Sequence, residues 1–115
     1  TDILFLTIAQ TYYKMHDMGA AEEYLIRAIN KTEDQIIAEK SRFLLGQIYF
    51  DRKAYLKAEE QYRKILESNE QSANAHFHLG EIYEKMGDTI KARAEWRKAL
   101  RIDPSHYGAR LKYYD

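Results

Sequence analysis

Large and small apolar residues recur along this chain at helical intervals, and polar or glycine-containing breaks divide it into seven predicted helices. The first runs from Asp2 to about Met15, and Asp17 follows it as an N-cap for a second helix ending near Asn30. Thr32-Glu33-Asp34-Gln35 has capping-box spacing, with two acids placed to favour a helix dipole, so a third helix is expected from Glu33 to about Asp51. A fourth is expected from Tyr55 to Glu67. Ser72 is placed to cap a fifth, ending at Met86, and Gly87-Asp88 turns the chain into a sixth ending near Ile102. Asp103-Pro104 stops that helix, because proline cannot continue it and restricts the residue before it. The tail, Ser105 to Asp115, reads as a short seventh helix.

The helices repeat in pairs. Counting from Ala73 as position 1, Leu79 falls at 7, Gly80 at 8, Tyr83 at 11, Ala92 at 20, Trp96 at 24, Ala99 at 27 and Pro104 at 32. From Glu39, the same places hold Leu45, Gly46, Tyr49, Ala58 and Tyr62, with Ile65 at 27 and Glu70 at 32. From Asp2 they hold Ile8, Ala9, Tyr12, Ala21, Leu25 and Ala28. Gly46 and Gly80 lie 34 residues apart, whereas the first and second units are offset by 37, which lengthens the third helix by about one turn. This pattern resembles the tetratricopeptide repeat, a helix–turn–helix unit of 34 residues. Small residues let the two helices of a unit cross closely, and the aromatics fill the space beside the crossing.

The resemblance implies an all-α fold, a right-handed α-solenoid of three helix–turn–helix repeats with a seventh, C-terminal helix. A single domain, 1–115, would hold repeat 1 (about 2–38), repeat 2 (39–72), repeat 3 (73–106) and a terminal helix (about 105–115). That helix is read as a cap or as the opening of a further repeat. His16 and Lys53 stand where Gly87 stands in the third repeat; a left-handed turn there would cost each about 1 kcal/mol relative to glycine.

Charge removes several classes of function. Eighteen Lys and Arg balance eighteen Asp and Glu, so the formal net charge is zero. The acids concentrate early: six acids against three bases in 1–38, then six against seven in 39–72 and six against eight in 73–115. This mild dipole is no basic stripe, so nucleic acid is not an expected partner. No apolar run approaches the roughly 20 residues that span a bilayer, so membrane insertion is not expected. There is no cysteine, which excludes disulfide and thiolate chemistry and leaves the redox compartment open; a soluble, cytoplasmic setting is the default. The chain begins at Thr1 rather than methionine, as a piece of a longer protein would.

The sequence holds no nucleophile elbow, phosphate-cradling glycine loop or metal motif, and no enzyme, cofactor or metal site is expected. His76 and His78, two apart on a helix, point to different faces. The carboxylate pairs Glu22/Glu23, Glu33/Asp34 and Glu59/Glu60 suit solvated helix faces better than acid–base catalysis.

What the resemblance does offer is a concave groove lined by the first helix of each repeat. Carried over by position, the peptide-binding candidates are Leu6, Gln10 and Tyr13, then Lys40, Phe43, Leu44, Gln47 and Phe50, then Asn74, Phe77, His78 and Glu81; the same positions also hold Ile3, Thr7, Lys14, Asp51, Glu84 and Lys85, and the tail would add Leu111 and Lys112. Leu6/Tyr13 and Phe43/Phe50 are seven apart and so share a helical stripe. With Phe77 they would form an aromatic ridge, either an exposed groove for a peptide or filling for the seams between helices. Relatives that capture the acidic tails of heat-shock chaperones carry lysine, asparagine and arginine at clamp positions that here hold Leu6, Gln10, Leu44, Asn74 and His78, so a carboxylate-clamp partner is not expected. The expected function is a scaffold or adaptor that binds a peptide or helix with apolar side chains and little charge demand. The alternatives are a self-association module, motivated by Tyr107, Tyr113 and Tyr114, or a regulatory segment of a larger enzyme.

Overall fold

The computed structural model describes every residue from Thr1 to Asp115. Its seven helices are α1 (Asp2–Lys14), α2 (Met18–Lys31), α3 (Gln35–Asp51), α4 (Tyr55–Ser68), α5 (Ala73–Lys85), α6 (Thr89–Ile102) and α7 (Tyr107–Tyr114). They pack as three hairpins, α1 with α2, α3 with α4 and α5 with α6; α2 meets α3, α4 meets α5, and α7 closes against α6. The result is an elongated all-α helical stack, 41 × 26 × 21 Å.

Local chemistry starts and stops these helices. The carboxylates of Asp17 and Asp88 accept from the amides of Ala20 (3.1 Å) and Lys91 (3.0 Å), and the Ser72 hydroxyl accepts from Ala75 (3.2 Å). The capping box at Thr32 does not form. Asp34 caps α3 instead, accepting from Ile36 (2.8 Å), and the helix starts at Gln35 rather than Glu33. The Thr32 hydroxyl donates to the Asp2 carboxylate (2.7 Å), and Gln35 donates its amide to the Ser68 carbonyl (2.9 Å). The Thr32 hydroxyl also accepts from the Asp34 amide (3.0 Å), one residue short of the capping-box partner, so both side chains tie elements together instead of forming the box.

The three intra-hairpin turns are alike. His16, Lys53 and Gly87 adopt φ of 64°, 63° and 85°. The amide after each reaches back to a helix carbonyl: Asp17 to Tyr12 (2.9 Å), Ala54 to Tyr49 (2.8 Å) and Asp88 to Tyr83 (2.9 Å). This is the left-handed helix ending in which glycine is normally favoured.

Inside each hairpin, volume is traded between positions 8 and 24. Ala9 faces a unit whose position 24 is Leu25, and both are fully buried. Gly46 is matched with Tyr62: a Cβ on Gly46 would lie 2.7 Å from the ring's Cζ. Gly80 is matched with the larger Trp96, whose ring edge lies still closer to the missing Cβ and whose indole N–H donates to the Phe77 carbonyl (3.3 Å). The glycines are therefore clearances for rings, a sharper role than close helix crossing alone.

Between hairpins, the same latch occurs twice. Tyr49 donates its hydroxyl to Glu22 (2.8 Å), which also receives Arg52 (2.6 Å). Tyr83 donates to Glu59 (2.6 Å), which also holds Arg63 (2.9 Å). Lys57 and Lys91 sit over the two tyrosine rings, 5.7 and 5.6 Å from their centroids. Burial draws the Glu22 and Glu59 carboxyls upward, but the hydrogen bonds from Tyr and Arg outweigh it and hold both below the ordinary carboxylate value. Burial, then the bond to Glu22, pushes Tyr49 up to about 12.

Candidate functional site

A groove of about 580 Å³ opens on the side where the first helices of the hairpins line up. α1 contributes Gln10, Tyr13 and Lys14; α3 contributes Lys40, Phe43, Leu44 and Gln47; α5 contributes His78. The ninth lining residue, Tyr62, comes from α4. Its ring passes through the clearance above Gly46 and stacks on His78, with centroids 5.2 Å apart and 25° between planes. Phe43 approaches Tyr62 at 5.9 Å and His78 at 6.2 Å. The floor is thus an interlocked aromatic cluster drawn from three helices. Burial first, then the carboxylates of Glu81 and Asp51, hold the Tyr62 hydroxyl well above its ordinary pKa, so it stays a neutral hydrogen-bond donor.

The twelve candidates do not all arrive there. Gln10, Tyr13, Lys40, Phe43, Leu44, Gln47 and His78 line the groove together. Leu6 does not: it is only 5 % exposed and belongs to the core. Phe50 turns to Tyr55 at the hairpin turn (5.7 Å). Phe77 packs under the terminal helix, where a Cβ on Gly108 would touch its ring at 2.7 Å and His106 lies 5.0 Å away. The five-membered ridge Leu6/Tyr13/Phe43/Phe50/Phe77 is therefore corrected to Tyr13 and Phe43, with the other three rings or side chains filling seams. The seven-residue spacing placed them on one stripe of a helix, but neighbouring helices cover part of that stripe.

The polar candidates divide in the same way. Asn74 accepts from the Nε2–H of His106 (2.7 Å), leaving His106 Nδ1 to accept from Ala109 and cap α7 (3.1 Å). Asn74 is thereby committed to docking the terminal helix. Glu81 is bonded to His78 Nδ1 (2.8 Å), and the Gln47 amide donates to Asp51 (2.9 Å). Lys14 and Lys40 meet no carboxylate; every ion pair in the chain involves other cations.

Tyr62 is the groove residue that position-by-position reasoning missed, because it lies on a second helix whose position 24 normally fills the hairpin interior. The available signal was its pairing with Gly46. His76, by contrast, is structural: it joins Glu95 (2.8 Å), which also holds Lys98 (3.2 Å), across α5 and α6. No group of three or more His, Cys, Asp or Glu side chains converges on a common point, and no helix is long and apolar enough to cross a membrane.

This repeated hairpin, its shared turn and its 34-residue register define a helical-repeat protein, and the sequence comparison places it. Three models, each described as a tetratricopeptide or TPR repeat, match residues 4–30, 46–87 and 73–106, and between them they cover most of the chain. The chain belongs to the tetratricopeptide-repeat family. No curated protein matches it. Among solved structures it is similar to YrrB, described as a TPR protein with an unusual peptide-binding site, at 23% identity and a TM-score of 0.89 over 100% of this chain and 58% of that one. MamA is similar at 22% identity and a TM-score of 0.85, covering 98% of this chain and 64% of that one. The first TPR of Spaghetti (RPAP3), bound to the HSP90 peptide SRMEEVD, is similar at 13% identity and a TM-score of 0.84, over 98% and 87% respectively. The chain thus spans about three-fifths of the first two. These identities speak to the fold.

Proposed function

We propose that this chain is a protein–protein interaction module that takes a short peptide or helix of a partner into the groove between α1, α3 and α5. The observation that carries this reading is the aromatic floor: Tyr13, Phe43, Tyr62 and His78 converge on one opening of about 580 Å³, with Leu44 and Gln10 on its walls. The part-exposed Phe43 and His78 rings, held against the buried Tyr62 ring, can bury large area on a ligand while freezing few rotors. Two similar structures are named for peptide binding or carry a bound peptide, which agrees with a groove of this kind.

The test is selection of a random 12-residue displayed peptide library on the wild-type chain, followed by affinity measurement on two variants. Gln10→Trp adds bulk to the groove from an exposed position without removing core; Lys64→Trp adds the same bulk on the exposed surface of α4. Peptides that lose at least tenfold in affinity on the first and hold on the second support the groove. Peptides unaffected by Gln10→Trp, or failure to enrich any peptide on folded wild type, would overturn it.

A further inference from the structure

The groove's charges go beyond its shape, and they add to the expectation of a ligand with little charge demand. Each carboxylate named near the groove is already engaged: Asp51 accepts from Gln47 (2.9 Å) and Glu81 from His78 (2.8 Å). The two ammonium groups are not. Lys14 and Lys40 both line the opening and have no carboxylate within ion-pair reach; other cations such as Lys53 and Lys64 are also without an ion pair, but they do not line this groove.

Their placement differs from that of cations gathered to grip one chain end. Lys14 is the last residue of α1, whereas Lys40 stands at the level that Ile3 occupies on α1, eleven residues earlier. At 1.5 Å per helical residue, the two Cα atoms are offset by about 16 Å along the groove. The aromatic floor lies between them. A peptide crossing from one lysine to the other in extended form, at about 3.3 Å per residue, covers that offset in about five residues.

From this we infer that the ligand is an internal peptide segment with an acidic side chain at each end and an apolar or aromatic side chain between, the acids about five residues apart. Each lysine takes one carboxylate at its rim, where a compact, solvated ammonium on a flexible stem tolerates variation in length. The central side chain packs on Phe43, Tyr62 and His78, and the Tyr62 hydroxyl and Gln10 are placed to bond the peptide backbone. This inference rests on the groove reading above.

The experiment uses the peptides selected on the wild type, each synthesised with a free and with an amidated C-terminus. The expected consensus has Asp or Glu on both sides of an apolar residue. Lys14→Glu and Lys40→Glu, each alone, should weaken binding at least tenfold. Changing the acid at one end of the peptide to lysine should restore binding to one of these variants and not to the other, because each end answers to its own lysine. Amidation should change nothing. If affinity falls only on amidation, the lysines grip a terminal carboxylate and the two-ended pattern is wrong. If the peptides carry no acidic enrichment or ignore both charge reversals, yet are blocked by Gln10→Trp, the charge inference fails and the groove stands. If Gln10→Trp does not block them, both readings fail together.

Discussion

The first and third hairpins build the same crossing from opposite allocations of volume. In α1/α2 the near helix spends a methyl, Ala9, and the far helix answers with Leu25; in α5/α6 the near helix gives up its side chain at Gly80 and the far helix inserts Trp96. The third also gains an indole hydrogen bond to Phe77 that the first has no means to make. The sum of the two positions is what the fold constrains, more than either residue alone. The middle hairpin uses the same exchange differently. Gly46 lets Tyr62 through to the groove, so a packing rule supplies part of the binding surface.

The comparison breaks most visibly at Gly80. Gly80→Ala forces the Trp96 ring to move; overpacking costs up to about 3 kcal/mol and improved helix propensity returns about 1, for a net loss of about 2 kcal/mol in urea unfolding. Trp96→Leu alone should cost about 3 kcal/mol through the cavity it leaves. The double variant recreates the allocation of the first hairpin and should cost less than the sum of the two, with a coupling of at least about 1 kcal/mol. Strict additivity would mean that the two positions do not exchange volume.

The two latches between hairpins allow a like-for-like test. Tyr49→Phe and Tyr83→Phe should each destabilise by about 1 kcal/mol, since a hydrogen bond to a half-buried carboxylate is lost while the Arg partner stays. Glu22 and Glu59 have folded-state values below the ordinary 4.5, so their contribution is fully present above that pH and is lost as pH falls through the lowered values. A Glu22→Gln/Glu59→Gln variant should therefore be less stable than wild type at pH 7 and lose less of its stability between neutral and acid pH, as measured by thermal melts across that range. Parallel acid profiles for variant and wild type would show that the latches carry no such linkage.

Smaller effects sharpen the turns. His16→Gly and Lys53→Gly relieve a left-handed backbone and should each stabilise by about 1 kcal/mol, whereas Gly87→Ala should cost a similar amount. The smallest change expected is at Ser41, whose fully buried hydroxyl has no hydrogen-bond partner. Ser41→Ala should be neutral or stabilising by up to about 1 kcal/mol. Wherever it falls outside that range, the hydroxyl has a role that packing does not show.

Much of this molecule was legible from spacing alone. The helix order, the caps at Asp17 and Ser72, the turn at Gly87-Asp88 and the equivalence of His16 and Lys53 to Gly87 all follow from short-range rules, because each depends on residues within a few positions of one another or on the repeat register. What failed was tertiary. Thr32 satisfies every local criterion for a capping box, yet its hydroxyl accepts from Asp34 and donates to Asp2, thirty residues away, while Asp34 caps the helix. Leu6, Phe50 and Phe77 share a helical stripe with true groove residues, but whether a neighbouring helix covers them is not written in the stripe. Tyr62 reaches the groove only because of an absence on another helix. That Lys14 and Lys40 stand unpaired at the groove depends on Asp51 and Glu81 bonding elsewhere, which no local spacing states.

α3 is seventeen residues long, against thirteen for α1 and α5. A stack of similar hairpins carries a hazard in assembly: with turns of one shape and the same Tyr–Glu contact at both junctions, one unit can settle in the place of another, within a chain or between chains. The additional turn of α3 makes the middle unit distinguishable, because only it carries Gln35 to meet the end of its own partner helix at Ser68. The insertion thus acts as an address, giving a repetitive chain a reason to assemble in one order.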